Sequence, residues 1–228
     1  MIGVIIPAHN EAELIADCVR SVNRARRHEG LGQEQVLVIV VADDCSDFTE
    51  AFAAFEGAMV ISVFKRNVGS ARALGAQLAI AHGARWLAFT DADTTVPTDW
   101  LIQQISCRTD AVCGVIDISD WGCLSNNVRE EFYDTYRDID GHRHIHGANL
   151  GVSVAAYEKA GGFQPLAFNE DVAFVDMLIA TGASIAWSNA VRVTTSARLD
   201  ARAPRGFGTT LQAASRRLDG TTTASEIA

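Results

Sequence analysis

Four short apolar runs, each followed by a polar cluster and then by a segment of helical length, set the strongest constraint on this chain. Ile2–Ile6, Val36–Val41, Met59–Phe64 and Trp86–Thr90 are rich in β-branched and aromatic residues, and the second is too continuously apolar to have a wet face. The intervening stretches Asn10–Arg26, Ser46–Phe55 and Asn67–His82 are predicted helices. In the first, Leu14, Ile15, Cys18, Val19 and Val22 recur at helical spacing. Asn10 is its predicted N-cap, with Glu11 and Glu13 at the positive end of the dipole. Such alternation gives an α/β fold with a mostly parallel central sheet flanked by helices.

In sheets of this kind, ligands bind beyond the carboxyl ends of the strands. The polar clusters fall there: Pro7-Ala-His-Asn-Glu11, Asp43-Asp-Cys-Ser-Asp47, Lys65-Arg-Asn67 and Asp91-Ala-Asp93. The second half of the chain is less regular. It reads as helix from Pro97 to Cys107, strand from Ala111 to Ile118 and polar helix from Leu124 to Arg137. Extended chain follows from His144 to Val154, then short helix from Val154 to Ala160, stopped by Gly161-Gly162. Asn169–Thr181 is a helix stopped by Gly182, and Ser184–Val193 a last strand. The expected organisation is one domain over 1–195, divided into a nucleotide-binding half (1–93) and an acceptor-side half (94–195), with a basic loop or helix and a frayed tail over 196–228.

Charge and cysteine usage exclude several classes. The net charge is −9 over 228 residues, a poor balance for neutralising phosphates, so no nucleic-acid partner is expected. From Arg192 onward six arginines face Asp200, Asp219 and Glu226, leaving −12 on what precedes. The longest apolar run, Val36–Ala42, falls far short of the roughly 20 residues a spanning helix needs. The opening lacks a basic n-region and is interrupted by Pro7, unlike a signal peptide. Five cysteines without a C-x-x-C pair read as reduced thiols. The expected location is therefore cytoplasmic, with peripheral membrane association left open.

Asp91 and Asp93 lie two residues apart after a buried strand, so an extended backbone points both carboxylates the same way. Such a pair can hold Mg²⁺ or Mn²⁺, which favour one or two carboxylates plus phosphate oxygens. Asp43 and Asp44 can accept hydrogen bonds from ribose hydroxyls or a base N–H, while Ser46 or Asp47 suits helix capping. Gly69 and Gly75 permit close packing of the third helix. Arg72 in its first turns would face the acidic edge. His142, His144 and His146 alternate, and would share one face of a strand either as a metal site or as an aromatic-lined surface. Arg198, Arg202 and Arg205 sit in a Gly/Pro-containing stretch suited to closing over a diphosphate.

Six segments in order carry a resemblance: Val4-Ile-Ile-Pro-Ala-His-Asn-Glu11, Val41-Ala-Asp-Asp-Cys-Ser-Asp47, Asn67-Val-Gly-Ser-Ala-Arg72, Phe89-Thr-Asp-Ala-Asp93, His146-Gly-Ala-Asn149 and Asn169-Glu-Asp171. Together they resemble a family 2 glycosyltransferase of the GT-A fold over about residues 1–195. The resemblance implies a nucleotide-diphosphosugar donor of UDP or GDP type, Mn²⁺ or Mg²⁺ as cofactor, and an acceptor it does not identify. It places Pro7, Ala8, Glu11, Asp43, Asp44, Arg72, Asp91, Ala92 and Asn149 at the donor, and Asp91 with Asp93 at the metal. Asp171 becomes the base of an inverting reaction. His146, Glu170, Arg198 and Arg202 become acceptor or diphosphate contacts. His9 and Cys45 depart from the family pattern, which usually has Tyr or Phe and Gly or Asn there.

The chemistry is coherent: a leaving diphosphate needs charge neutralisation and an acceptor hydroxyl needs a base. Three readings remain beside it. One is a retaining relative of the glycerate-type glycosyl synthases, and another is a non-catalytic nucleotide-sugar-binding protein. A sugar-nucleotidyltransferase is disfavoured, because no Gly-rich basic loop follows the first strand. Homodimerisation is left open.

Overall fold

The computed structural model describes residues 1–122, 124–166, 168–197 and 213–218. Its centre is one eight-stranded sheet with strand order β3-β2-β1-β4-β7-β6-β8-β5. The strands are β1 (Ile2–Ala8), β2 (Val36–Asp43), β3 (Met59–Val63), β4 (Trp86–Phe89), β5 (Thr94–Thr95), β6 (Ala111–Ile118), β7 (Leu150–Ser153) and β8 (Ile185–Thr195). β1, β2, β3 and β4 run parallel. β7 is antiparallel to both β4 and β6, while β8 is parallel to β6 and pairs antiparallel with the short β5. The sheet is therefore mostly parallel, and helices flank it.

The helices are α1 (Ile15–Ala25), α2 (Thr49–Phe55), α3 (Val68–Ala81), α4 (Trp100–Ser106), α5 (Asn126–Thr135), α6 (Val154–Lys159) and α7 (Glu170–Ala180). Alternation along β1 divides the core. Ile2, Val4, Ile6 and Ala8 pack on one side with α1, Ala53 of α2, and Trp100 and Leu101 of α4. Ile5 packs on the other with Ala71, Ala76 and Ala79 of α3 and with Phe174, Val175 and Leu178 of α7. Gly75 earns its place by proximity: a Cβ there would lie 2.5 Å from Ile5 Cγ2. Gly69 does so against the Gln164 carbonyl.

Three local expectations change. α1 begins at Ile15, not at Asn10; Asn10 has φ +54° and turns its side chain to the next loop, where Oδ1 accepts from Ser46 N at 2.8 Å. α4 begins at Trp100, with Pro97 one turn before it. Of the stretch expected to be extended, only Leu150–Ser153 is strand. The histidines lie in irregular chain ahead of it, the rings of His144 and His146 stacked on Tyr136 just past α5.

Candidate functional site

The loops leaving β1, β2 and β3 are stitched together by side-chain-to-backbone hydrogen bonds. Asp43, almost fully buried, accepts from Lys65 N (2.6 Å) and Arg66 N (2.8 Å) at Oδ1 and from Asn67 N (2.7 Å) at Oδ2. A carboxylate accepts about four hydrogen bonds, so Asp43 has room for at most one more donor. It clamps the β3–α3 turn and keeps that remaining capacity. Asp44 has φ +55° and is a third exposed, paired with the Arg66 guanidinium. His9 Nδ1 lies 2.7 Å from the Asp43 carbonyl. Asp47 accepts from Thr49 N and from Ala12 N, each at 3.0 Å, so it caps α2 and holds the first loop at once. Thr49 Oγ1 in turn accepts from Glu11 N at 2.7 Å.

Strain gathers at the same edge. Among the described residues five non-glycine residues have positive φ, and four of them are Asn10, Asp44, Arg66 and Asn169. Such conformations cost energy and persist where the surroundings enforce them.

Asp91 and Asp93 follow β4, both part-exposed. Arg72 Nη2 donates to Asp91 Oδ1 at 2.6 Å, and Arg72 Nη1 donates to Glu170 Oε1. Arg72 is only 3% exposed, and its guanidinium is turned to Asp91 and Glu170. Burial pulls the guanidinium pKa down, but Asp91, Glu170 and Asp171 more than offset this, and it stays charged. Glu170 is buried and its carboxyl is pushed up by desolvation, with Arg72 opposing. Gly147 carries the loop over this ion cluster, since a Cβ there would collide with the Arg72 guanidinium. Gly147 N also donates to Asp171 Oδ2 at 2.8 Å. Asp171 lies in the first turn of α7, where the helix dipole favours an anion. Asp91, Arg72, Glu170, Gly147 and Asp171 thus form one connected set.

Asn149 stands apart from it. It is fully buried, and its side chain donates to Val115 O and Val191 O, both at 2.8 Å, and accepts from Trp100 Nε1 at 2.9 Å. Those partners flank the register break at Gly114/Val115, where Ser188 and Arg192 of β8 face consecutive residues of β6. Asn149 therefore bridges a sheet irregularity. Pro7, Ala8 and Ala92 are also buried, so only backbone is available from them. Glu11 is 7% exposed.

The histidines stack. Tyr136 and His144 lie 4.1 Å apart at 7°, and His142 and His146 flank His144 at 5.4 and 5.9 Å. Ile116 N donates to Tyr136 Oη at 3.0 Å, and the same oxygen lies 2.9 Å from His146 Nε2. Burial pushes Tyr136 up to about 12 and His146 down to about 3, the neighbouring His144 and His142 adding to the latter. The aromatic-lined alternative describes this group. Arg198, Arg202 and Arg205 lie outside the described residues. Sequence reasoning missed Tyr136 and Trp100: nothing in their spacing says that one supports His146 and the other Asn149.

Residues 3–163 match the family model described as glycosyl transferase family 2. No curated protein matches the chain in sequence. Among solved structures, Staphylococcus aureus TarS 1-349 in complex with UDP-GlcNAc superposes with TM-score 0.68 at 13% identity, covering 90% of this chain and 61% of that one. The mannosyltransferase PcManGT from Pyrobaculum calidifontis, in complex with GDP-Man and Mn²⁺, gives TM-score 0.64 at 18% identity, covering 94% and 69%. A mycobacterial protein gives 0.57 at 18% identity, covering 97% and 73%. The likeness is one of fold, the GT-A fold, and the chain spans about three fifths of the TarS chain.

Proposed function

Because the chain belongs to glycosyl transferase family 2, we propose that it transfers a sugar from a nucleotide diphosphosugar to an acceptor hydroxyl, with inversion. The observation that carries this reading is the bridge from Asp91 through Arg72 to Glu170, beside Asp171. It joins the carboxyl edge of the parallel strands to the start of α7. The donor is of UDP or GDP type, the classes bound by TarS and PcManGT. Residues 1–93 hold the nucleotide, with Asp44 the exposed member of its acidic pair, and 94–195 face the acceptor. The reading includes action in the cytoplasm and self-association; among the described residues no helix is long and apolar enough to cross a membrane.

The donor set suits Mn²⁺ or Mg²⁺. Asp91 and Asp93 are part-exposed hard oxygen donors two residues apart at the end of β4. Among the described residues no three His, Cys, Asp or Glu side chains form a complete metal cage. These cations need only one or two carboxylates when a diphosphate supplies the rest. Asp93 and Asp91 would hold the ion, which when bound neutralises the leaving diphosphate. Asp171, oriented by the Gly147 N–H, accepts the proton of the attacking hydroxyl. Glu170 and His146 border the acceptor side, and Arg72 fixes Asp91 and Glu170 relative to one another.

The test is thermal stability of the wild type and Asp93→Asn against UDP-, GDP-, CDP- and dTDP-sugars, with and without Mn²⁺. Ligand at about 100 times its dissociation constant adds about 2.7 kcal/mol, or about 5–10 °C for a chain of this size. A shift with one base, whose metal-dependent part disappears in Asp93→Asn, is expected. No shift with any donor would overturn the reading.

A further inference from the structure

At the opposite end of the sheet from β5 lies an edge that the chemistry of sugar transfer does not use. β3 pairs with β2 on one side, and among the described residues no strand covers its other side. Its sequence, Met59-Val-Ile-Ser-Val63, has no charge and no proline, the devices that ordinarily protect an edge from pairing. Val60 packs into the core on the α1/α2 side, while Ile61 and Val63 pack into the core on the α3 side. Alternation then puts Ser62 on the α2 side, and Phe64 follows directly on the strand's last residue.

α2 adds a stripe to this edge. Phe48, just before it, and Phe52 and Phe55 within it are spaced by four and three residues, one line along a helix. The Phe48 and Phe52 rings lie 6.1 Å apart. The inward face of the helix is Thr49 and Ala53. Phe48, Phe52, Phe55 and Phe64 are 71%, 43%, 87% and 80% exposed, although soluble chains bury most of their aromatic surface.

We infer that this edge, the β3 strand with Phe48, Phe52, Phe55 and Phe64, is the interface through which a second copy of the chain docks about a two-fold axis. At about 200 Å² per aromatic side chain, the exposed rings supply about 560 Å² per chain, hence about 1,100 Å² for a symmetric pair. That reaches the roughly 1,000 Å² a specific interface should clear, before the strand edge itself is counted. A second copy also brings an identical edge whose N–H and C=O groups can satisfy those of β3, antiparallel across the axis. Lipid offers no such partner to a strand edge, and a net charge of −9 disfavours an anionic surface. The inference gives a surface to the self-association in the proposed function and rests on that part of it alone.

Sedimentation velocity of the full chain at micromolar concentrations tests it, with Phe55→Glu and Phe64→Glu beside the wild type. The wild type is expected to be a dimer. Each variant should raise the dimer dissociation constant by about thirtyfold or more, the effect of losing a central interface side chain, with unchanged far-UV circular dichroism. Phe55→Ser should act in the same direction and keeps the test readable if a charge disturbs α2. A monomeric wild type, or a dimer indifferent to all three variants, would overturn the inference. So would a monomer that co-sediments with phosphatidylcholine–phosphatidylglycerol vesicles through these rings, which would make the edge a lipid contact. Nucleotide-sugar affinity measured on the same samples is expected not to change, so loss of the dimer and failure of the transferase reading are told apart.

Discussion

The edge proposed to hold the donor and the side proposed to face the acceptor are built by different physics. At the donor edge, short polar side chains close hydrogen bonds onto the backbone of neighbouring loops: Asp43 onto the β3–α3 turn, Asp47 onto α2 and the first loop, Asn10 onto Ser46. On the acceptor side, rings carry the shape: Tyr136, His144, His142 and, across from them, Trp187. One buried amide, Asn149, holds the sheet behind them. The difference teaches that a polar residue at a strand end serves as a clamp as readily as a ligand. The residues proposed for chemistry are those left part-exposed among the clamps: Asp44, Asp91, Asp93 and Asp171. Arg72 joins the two halves, through Asp91 and Glu170.

Asp171→Asn separates the two regions most sharply. If the acceptor side holds the base, kcat falls by about 10²–10⁴-fold, while nucleotide-sugar affinity, a property of the donor edge, is unchanged by calorimetry. Full turnover would make Asp171 only a good helix-start residue and would favour a retaining route, which product anomer configuration would then show.

Arg72→Met attacks both regions at once. It strands Glu170 and the bonded oxygen of Asp91 beside a space that had held a buried cation. Breaking a buried ion pair from one side costs about 3–5 kcal/mol, so Tm should fall by about 6–20 °C, read by calorimetry. Adding Glu170→Leu should recover part of the loss, because it removes the most buried uncompensated charge. If Arg72→Met left stability intact and changed only donor affinity, the arginine would belong to the donor edge alone.

Asn149→Ala sharpens the comparison from the scaffold. Val115 O, Val191 O and the Trp100 indole each lose a buried partner, at about 1–3 kcal/mol apiece before relaxation. A net loss of about 3 kcal/mol is expected, with the Michaelis constant for the donor unchanged in the protein that remains folded. A rise in that constant without loss of stability would return Asn149 to the sugar.

How much of this was legible in the sequence follows the same division. The parallel half of the sheet and its polar edge could be read because each strand end is punctuated locally: Pro7–Glu11, Asp43–Asp47 and Asp91–Asp93 announce themselves within a few residues. The start of α3 was visible in the same way, and Asn67, just before it, accepts from Ser70 N at 2.8 Å. What escaped depends on partners far along the chain. Asn149 answers to Trp100 and Val191, and Arg72 to Glu170, 98 residues away. No local pattern distinguishes an asparagine beneath a sugar from one that bridges a register break. The start of α1 was misplaced for a related reason. Asn10 is a good cap in isolation, but the second loop competes for its side chain and holds it.

The smallest effect concerns the ring stack and pH. Burial lowers the pKa of His142, His144 and His146 from the ordinary 6.5, the last to about 3. As pH falls through 6.5 the unfolded chain takes up protons that the folded rings refuse, so stability drops with decreasing pH in that window. Facing groups set its lower limit. Asp138 has its pKa lowered by Arg192 and loses stability only further into acid, and Glu170, raised by burial, acts with the opposite sign. The window from about pH 7.5 to about pH 5.5 reports mainly the imidazoles, His146 contributing up to about 1.4 kcal/mol at its lower end and His142 and His144 less. His144→Phe keeps the face that stacks on Tyr136 and removes one titrating group. Its Tm should fall less between those two pH values than that of the wild type. An unchanged slope would mean that the rings are protonated in the folded chain, and that the acceptor side is wetter than its stacking implies.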